Sequence, residues 1–359
     1  MKFYNLKKDH EKSIEQISLI NPIINDLLYA KLHNVKKKID LYPYKWDKYK
    51  SIHNKYEYIY QSSSSIVNIC KIIPISRSFF KLHEILIDLN IKFSNNSKIT
   101  CIAEGPGGFI QSLLYNIPNH IKYNIYGITL LSKSMKIPYW SSLIINRNNI
   151  NLLKGIDKTG DICNIDNIKN FIEIIGENTC EFITSDGGID YSDNYNSQEN
   201  SSYNLIFFEI YIALQIQKNN GTFILKMFDI LLHRSIQLLY ILYQCYDEII
   251  IYKPSMSRDT NSEKYIICKN YKRNRDIIDI LDKNISKINS FYLNIPESFI
   301  DDINRYNDII VNNQINNIDK IIDNIKSKTY IRNNPNIIQT SIGVEWCNQY
   351  KLPINKLYT

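Results

Sequence analysis

From about residue 66 to residue 271 the chain alternates short apolar runs with stretches whose apolar positions recur every three or four residues. SRSFFKLHEILIDLN places Leu82, Ile85, Leu86 and Leu89 at helical spacing, with Ser76 or Ser78 where an N-cap belongs. KITCIAEG predicts a short buried strand, GGFIQSLLYNI opens the next helix, and YNIYGITL predicts a second strand. CEFITSD is a further strand, ending on Asp186. NLIFFEIYIALQIQKNN predicts a helix stopped by Asn219-Asn220-Gly221, GTFILKMF a strand, and DILLHRSIQLLYILYQCY a helix. DEIIIYKP and EKYIICKNY predict two strands with no helix between them, which makes an antiparallel pair the natural arrangement.

This alternation predicts an α/β fold with a mostly parallel, doubly wound sheet. Such sheets bind ligands outside the carboxyl ends of their strands. The positions to watch are therefore Glu104 to Gly108, Thr129 to Leu131, Asp186 to Gly188, and Lys226 to Asp229. Residues 1–65 form a separate zone, with a helix expected over SIEQISLINPIINDLLYAKLHNVKKK and then a basic, aromatic stretch, LYPYKWDKYKSIHNKYEYIY. Residues 272–359 are Asn-rich, with helix-period Ile and Leu in DIIDILDKNISKI and NNIDKIIDNIKSK and candidate loops in the Asn runs. The expected organisation is thus an N-terminal extension over 1–65, a catalytic domain over 66–271 and a helical C-terminal extension over 272–359.

Composition changes this picture little. The 359 residues are 44% hydrophobic, enough for a substantial core, and carry a formal charge of +7. That charge suits an acidic partner such as RNA. Asn, Ile, Lys and Tyr are all over-used, as an AT-rich genome would dictate, so Lys abundance alone says little. Seven cysteines stand singly with no C-x-x-C spacing, and no ligand cluster for a metal is visible. They read as small core residues of a reducing compartment. MKFYNLKKDHEK lacks the apolar core of a signal peptide, and LIFFEIYIALQIQ is too short to span a bilayer and contains Glu209. A soluble, cytoplasmic protein with no membrane partner is expected.

Chemistry enters at the strand ends. Glu104-Gly105-Pro106-Gly107-Gly108-Phe109 lies between a strand and a helix, where glycines let backbone approach a ligand and helix N–H groups face it. Its spacing matches neither the dinucleotide fingerprint nor the P-loop, which leaves a nucleoside-type cofactor or a plain tight turn. Asp186-Gly187-Gly188 is either a ligand-edge acid or a simple turn. Lys226 sits inside an otherwise apolar strand, costly unless paired or used. Glu263 begins the last strand, and Lys81 lies one position off the apolar stripe of its helix; each alone reads as solvated.

Together these segments resemble the FtsJ/RrmJ-like ribose 2′-O-methyltransferases, and most of all the cap-1 mRNA branch with its versions in large cytoplasmic DNA viruses. The resemblance rests on SRSFFKLHEI, AEGPGGF, YGITLLSK, GDICNI, TSDGG, GGIDYSDNYNSQEN, NGTFILKMFD and KPSMSRDTNSEKYIIC, in the family's order over roughly residues 76 to 271. It implies a Rossmann-like seven-stranded sheet with an antiparallel last strand, and S-adenosyl-L-methionine as cofactor. The family's Lys-Asp-Lys-Glu signature falls on Lys81, Asp186, Lys226 and Glu263. It implies that Lys226 acts on the ribose 2′-OH as base or alkoxide stabiliser, that Lys81 lowers the pKa of Lys226, and that Asp186 and Glu263 orient the lysines. Cofactor contacts are implied for Glu104, Gly105, Pro106, Gly107, Gly108, Phe109, Thr129, Asp161 and Asp186. One departure is that YGITL ends in Thr129 and Leu130 where many methyltransferases have an acid for the ribose hydroxyls.

Gly-Pro-Gly-Gly-Phe and Asn261-Ser262-Glu263 favour the cap branch over the ribosomal one, as do the two extensions. Capped mRNA is the expected substrate, with other capping enzymes or RNA polymerase as further partners. Candidate RNA contacts are Lys36, Lys37, Lys38, Trp46, Lys48, Tyr49, Ser257, Arg258, Lys272, Arg273 and Arg275, because aromatics stack bases and basic groups meet phosphates. The alternatives are the same chemistry on ribosomal or transfer RNA, and a catalytically silent RNA-binding subunit.

Overall fold

A computed structural model describes residues 1–18, 22–132, 134, 137–188, 196–328 and 334–359. Parts of the YGITLLSK and GGIDYSDNYNSQEN segments, Lys133 and residues 189–195, lie outside the described residues. The strands are β1 (Phe3–Asn5), β2 (Ser97–Ile102), β3 (Tyr123–Ile128), β4 (Ile150–Leu153), β5 (Cys180–Ser185), β6 (Gln217–Met227), β7 (Tyr246–Tyr252) and β8 (Lys264–Tyr271). The helices are α1 (Asp26–Lys37), α2 (Pro43–His53), α3 (Ser78–Asp88), α4 (Gly108–Asn116), α5 (Ser142–Ile145), α6 (Ile165–Ile175), α7 (Gln198–Ile216), α8 (His233–Cys245), α9 (Arg275–Asn284), α10 (Glu297–Lys326) and α11 (Ile337–Gln349).

The strands form one sheet in the order β1-β7-β8-β6-β5-β2-β3-β4. The pairs from β6 through β4 are parallel, whereas β8 pairs antiparallel with both β6 and β7. This is the expected mixed α/β sheet with one addition. An eighth strand, β1, pairs antiparallel with β7 at the edge. Three residues with one partly buried side chain gave too little alternation to read as a strand.

Alternation along the central strands places the core on both faces. Phe223, Leu225, Ile249, Ile251, Ile266 and Cys268 face α6, α7, α8 and α9. Ile224, Ile250, Tyr252, Tyr265 and Ile267 face α3 and α4. Lys226 shares the parity of Ile224, so its side chain leaves the sheet on the side of α3, where Lys81 is.

Several boundaries differ from the pattern. The first helix begins only at Asp26, capped by Asn25, whose side chain accepts from the Leu28 N–H at 3.0 Å. Gln16 instead bridges to Leu293. Neither Ser76 nor Ser78 caps α3; their hydroxyls bond each other at 2.6 Å. Lys218, Asn219 and Asn220 belong to β6, because α7 passes into that strand without a loop. The Asn runs near residue 315 are helical: α10 is a single helix of 30 residues. Its buried Phe299, Ile303, Val311, Ile318, Ile322 and Ile325 keep helical period across the asparagines.

The extensions do not pack as separate units. Val35, Ile39, Trp46 and Tyr49 pack on Ile318, Ile321 and Ile322 of α10, while Trp346 and Tyr350 join Phe79 and Phe80 of α3. The helix carrying Lys81 is thus braced from behind by the C-terminal segment. Among the described residues no helix is long and apolar enough to cross a membrane.

Candidate active site

The parallel strands β2, β3, β5 and β6 end on one edge of the sheet, and β8, running the other way, begins there. This is why Glu104, Thr129, Asp186, Lys226 and Glu263, far apart in sequence, meet. Lys226 Nζ donates to the Asp186 carbonyl oxygen at 2.7 Å and lies 3.1 Å from Asp186 Oδ1. Lys81 Nζ reaches both carboxylate oxygens of Glu263, at 2.7 and 2.9 Å. The site is therefore two lysine–carboxylate pairs, one delivered by β5 and β6, the other by α3 and the approach to β8.

Burial makes these charges strongly interdependent. Burial pushes the Glu263 carboxyl up, but Lys81, Lys226 and the hydrogen bonds from Lys81 and Ser257 bring it down to about 2. Burial also pulls Lys226 down, yet Asp186, Glu263 and Glu209 outweigh it, and its pKa is raised. The net direction is opposite to the depression that the resemblance implies: Lys81 is tied up by Glu263, and Asp186 and Glu263, joined by Glu209 once it ionises, favour the ammonium form of Lys226.

Residues outside the expected set complete the site. Tyr265 donates from its hydroxyl to Asp186 Oδ1 at 2.8 Å, Ser257 donates to Glu263, and Lys253 donates to the Glu263 carbonyl at 2.8 Å. Glu209, fully buried on α7, lies beneath the turn after Asp186. Tyr265 stands two positions from Glu263 in a strand and so shares its face. Glu209 is the lone acid in LIFFEIYIALQI, an anomaly in an otherwise apolar run.

The glycine-loop region fits the implied cofactor. Gly107 has φ +107, and a Cβ there would lie 2.3 Å from Ile144 Cδ1. Gly105 N–H donates to Thr129 Oγ1 at 3.0 Å, tying the loop to the end of β3. Gly160, at φ +68, packs so closely that a Cβ would lie 1.9 Å from the Thr129 carbonyl oxygen, which sets Asp161 beside Thr129. Glu104 is 2% exposed; its Oε1 accepts from Phe109 N–H at 3.3 Å and its Oε2 has no partner among the described residues. Burial and then Asp186 hold its pKa well above the carboxylate range. An orphaned buried carboxyl oxygen beside a glycine loop suits the ammonium group of an amino-acid-bearing ligand.

The candidate RNA residues divide. Ser257 and Arg258 lie in the turn leading to Glu263, where Arg258 grips Glu57 at 2.7 and 3.0 Å. Lys37 and Lys48 are exposed, and Lys38 pairs with Asp319 at 2.7 Å. Lys36 is not a surface lysine: it is 4% exposed and pairs with Asp229 at 2.6 Å. Trp46 and Tyr49 are core residues against α10, not open stacking platforms, although Trp46 reaches the wall of a cavity of about 90 Å³ beside Arg258 and Asn261. Lys272, Arg273 and Arg275 lie past the far end of β8, roughly 25 Å of strand from Glu263. There Arg273 pairs with Glu177 at 3.0 Å. A basic cluster near in sequence to the site is thus carried to the opposite edge by an antiparallel strand.

Residues 74–271 match the sequence model of the FtsJ-like methyltransferases. The chain is 32% identical over 188 residues to a human cap-specific mRNA (nucleoside-2′-O-)-methyltransferase 1, covering 48% of this chain and 21% of that one. It is 31% identical over 169 residues to a cap-specific mRNA (nucleoside-2′-O-)-methyltransferase of Autographa californica nuclear polyhedrosis virus, covering 47% of this chain and 62% of that one. It therefore spans about a fifth of the human relative and under two thirds of the viral one. Among solved structures, a ribosomal RNA methyltransferase from Plasmodium falciparum aligns over 55% of this chain and 99% of its own, with 22% identity and a TM-score of 0.42. With more than half of its length matched by the family's sequence model, the chain belongs to the FtsJ-like methyltransferases.

Proposed function

We propose that this protein is an S-adenosylmethionine-dependent RNA ribose 2′-O-methyltransferase that acts on capped mRNA, at the first transcribed nucleotide. The observation that carries the reading is the meeting of two lysine–carboxylate pairs beside a cofactor-shaped glycine loop. FtsJ-like methyltransferases are S-adenosylmethionine-dependent. The named mRNA-cap relatives favour a capped substrate, as does the Ser257-Arg258 and Asn261-Ser262-Glu263 turn.

A ribose hydroxyl is a weak nucleophile and must lose its proton as its oxygen bonds to the methyl carbon. In this reading Lys226 acts on that oxygen. As an ammonium it donates to the oxygen and stabilises the forming alkoxide, whose proton passes to bulk water. To act as general base it must first shed its own proton. When bound, S-adenosylmethionine supplies a methyl group on a cationic sulfonium, a charge of the sign that lowers an ammonium's pKa. Asp186 fixes the Lys226 amino group through its carbonyl and carboxylate, and Tyr265 fixes Asp186. Glu263 keeps Lys81 in place and neutralises it. Much of the rate then comes from alignment held by these contacts.

The test is transfer of labelled methyl to capped RNA, with uncapped RNA of the same sequence alongside. Labelling of the capped RNA alone is expected. Equal labelling of both would remove the cap from the reading and favour ribosomal or transfer RNA. No labelling of any RNA would favour a silent binding subunit.

A further inference from the structure

Glu209 is a buried acid that the proposed mechanism does not use. It sits in the middle of α7 among Phe207, Phe208, Ile210 and Ile212 and has no exposed surface. Its carboxyl points at the turn that follows Asp186: a Cβ on Gly187 would lie 2.1 Å from Glu209 Oε1. Among the described residues, neither carboxyl oxygen reaches full hydrogen-bond geometry with a partner. An acid placed this way costs stability that an apolar residue would not.

We propose that Glu209 is a positioning residue for the Asp186–Lys226 pair, acting from α7 through the Gly187 turn and through its charge on Lys226. The inference rests on the methyltransferase reading for its consequence in catalysis, but not for the coupling itself. The groups around it define the coupling. The Gly187 turn after β5 lies on it, and the charges of Asp186, of Lys226 on β6 and of Cys163 before α6 are coupled to it. Glu104 and Glu263 also act on Lys226 or its partner Asp186. Burial, and then Asp186, push the Glu209 carboxyl up to about 8, against the pull of Ser185, Lys226 and Gly187. Below that pH it is a neutral acid wedged under the turn. Above it, it adds a third carboxylate charge near Lys226 and helps to hold the ammonium form.

Removing that charge should therefore lower the pKa of Lys226 without touching any ligand. Glu209→Gln keeps size and hydrogen-bonding capacity; Glu209→Asp keeps the charge. The direct reading is the rate at which the Lys226 amine reacts with acetic anhydride, followed by mass spectrometry from pH 7 to 11 on the ligand-free full chain. Glu209→Gln should react roughly threefold or more faster than wild type near pH 9. Glu209→Asp should behave as wild type. In methyl transfer, the limb of the kcat/KM profile governed by Lys226 should move to lower pH in Glu209→Gln, whichever protonation form of Lys226 is active. Unchanged Lys226 reactivity in Glu209→Gln would overturn the proposal. So would a kcat loss with no movement of the limb, since that is what a merely structural role gives. If wild type methylates no RNA, the functional reading fails while the reactivity measurement still decides the coupling.

Discussion

Two buried clusters of lysines and carboxylates lie side by side in this molecule, and they meet at consecutive residues. Glu263 belongs to the first, with Lys81, Asp186 and Lys226. Lys264 belongs to the second, with Lys36, Asp229 and Glu199. The residue types are the same, but the second cluster is fully buried while Lys81 and Asp186 of the first are only partly so. The surroundings differ. In the second cluster Lys264 donates to the Phe228 carbonyl and lies over the Tyr306 ring, and Glu199 Oε1 accepts the N–H groups of Leu231 and Leu232 at 2.7 and 2.8 Å. It joins α1, α7, β8 and the segment after β6, with α10 above. The first cluster faces the strand ends and the glycine loop. What separates them is place: the first cluster stands at the ligand edge of the sheet, beside the glycine loop.

The sharpest way to break this comparison is to remove the central lysine of the first cluster. Lys226→Ala should lower kcat by about a thousandfold or more while leaving S-adenosylmethionine binding nearly intact. Steady-state methyl transfer and calorimetric titration would show it. Activity unchanged by this substitution would make the two clusters equivalent.

Next in size is the structural pair. Asp229→Ala leaves Lys36 and Lys264 without their carboxylate and should cost about 3–5 kcal/mol in denaturant unfolding. The double variant Lys36→Met with Asp229→Leu should recover much of that stability. Its kcat per folded molecule should stay within roughly threefold of wild type. A kcat collapse in a stable double variant would move this cluster into the reaction.

One glutamate from each cluster should respond to pH in the opposite sense. The Glu263 pKa is depressed from 4.5 to about 2, so its stabilising contribution is complete above about pH 4.5 and is lost as pH falls through about 2. Glu199 is pushed the other way, from 4.5 to about 7, by burial and then Asp229. A carboxyl with a raised folded pKa costs stability as pH rises from about 4.5, and the cost is complete above about 7. Glu199→Gln should therefore stabilise the protein above about pH 7, by at most about 3 kcal/mol, and flatten the decline over that window. Glu263→Gln should destabilise it at the same pH. Thermal melts from pH 4 to 8 would separate the two.

The smallest effect is expected at the far edge of the sheet. Lys272→Ala with Arg273→Ala should change RNA affinity and kcat by less than about twofold, because β8 carries both away from the site. A steep loss of RNA binding in a filter assay would restore them as RNA contacts.

How much of this was legible in the sequence follows from which interactions are local. The alternation in GTFILKMF and CEFITSD is a property of single strands, and it located Asp186 and Lys226 at the ligand edge. Lys81 and Glu263 carry no such local sign. Their pairing joins a helix to a strand start 182 positions away, and it entered only through the family signature. Lys36 misled because a Lys-Lys-Lys run looks solvated, while helix geometry turns its first lysine inward to Asp229. Trp46 and Tyr49 misled for a related reason: their cover is α10, nearly 270 residues downstream, whose asparagines disguised a continuous helix. Glu209 was legible as an anomaly but not as a neighbour of Gly187, because that contact exists only once α7 packs against the end of β5.

The most direct test of the central claim uses two capped RNAs identical except at the first nucleotide, one with a ribose 2′-OH and one with 2′-deoxyribose. Labelled methyl from S-adenosylmethionine should appear only in the first, at the 2′-oxygen, and should vanish with Lys226→Ala. Equal label in the 2′-deoxy RNA, or label that survives Lys226→Ala, would contradict it.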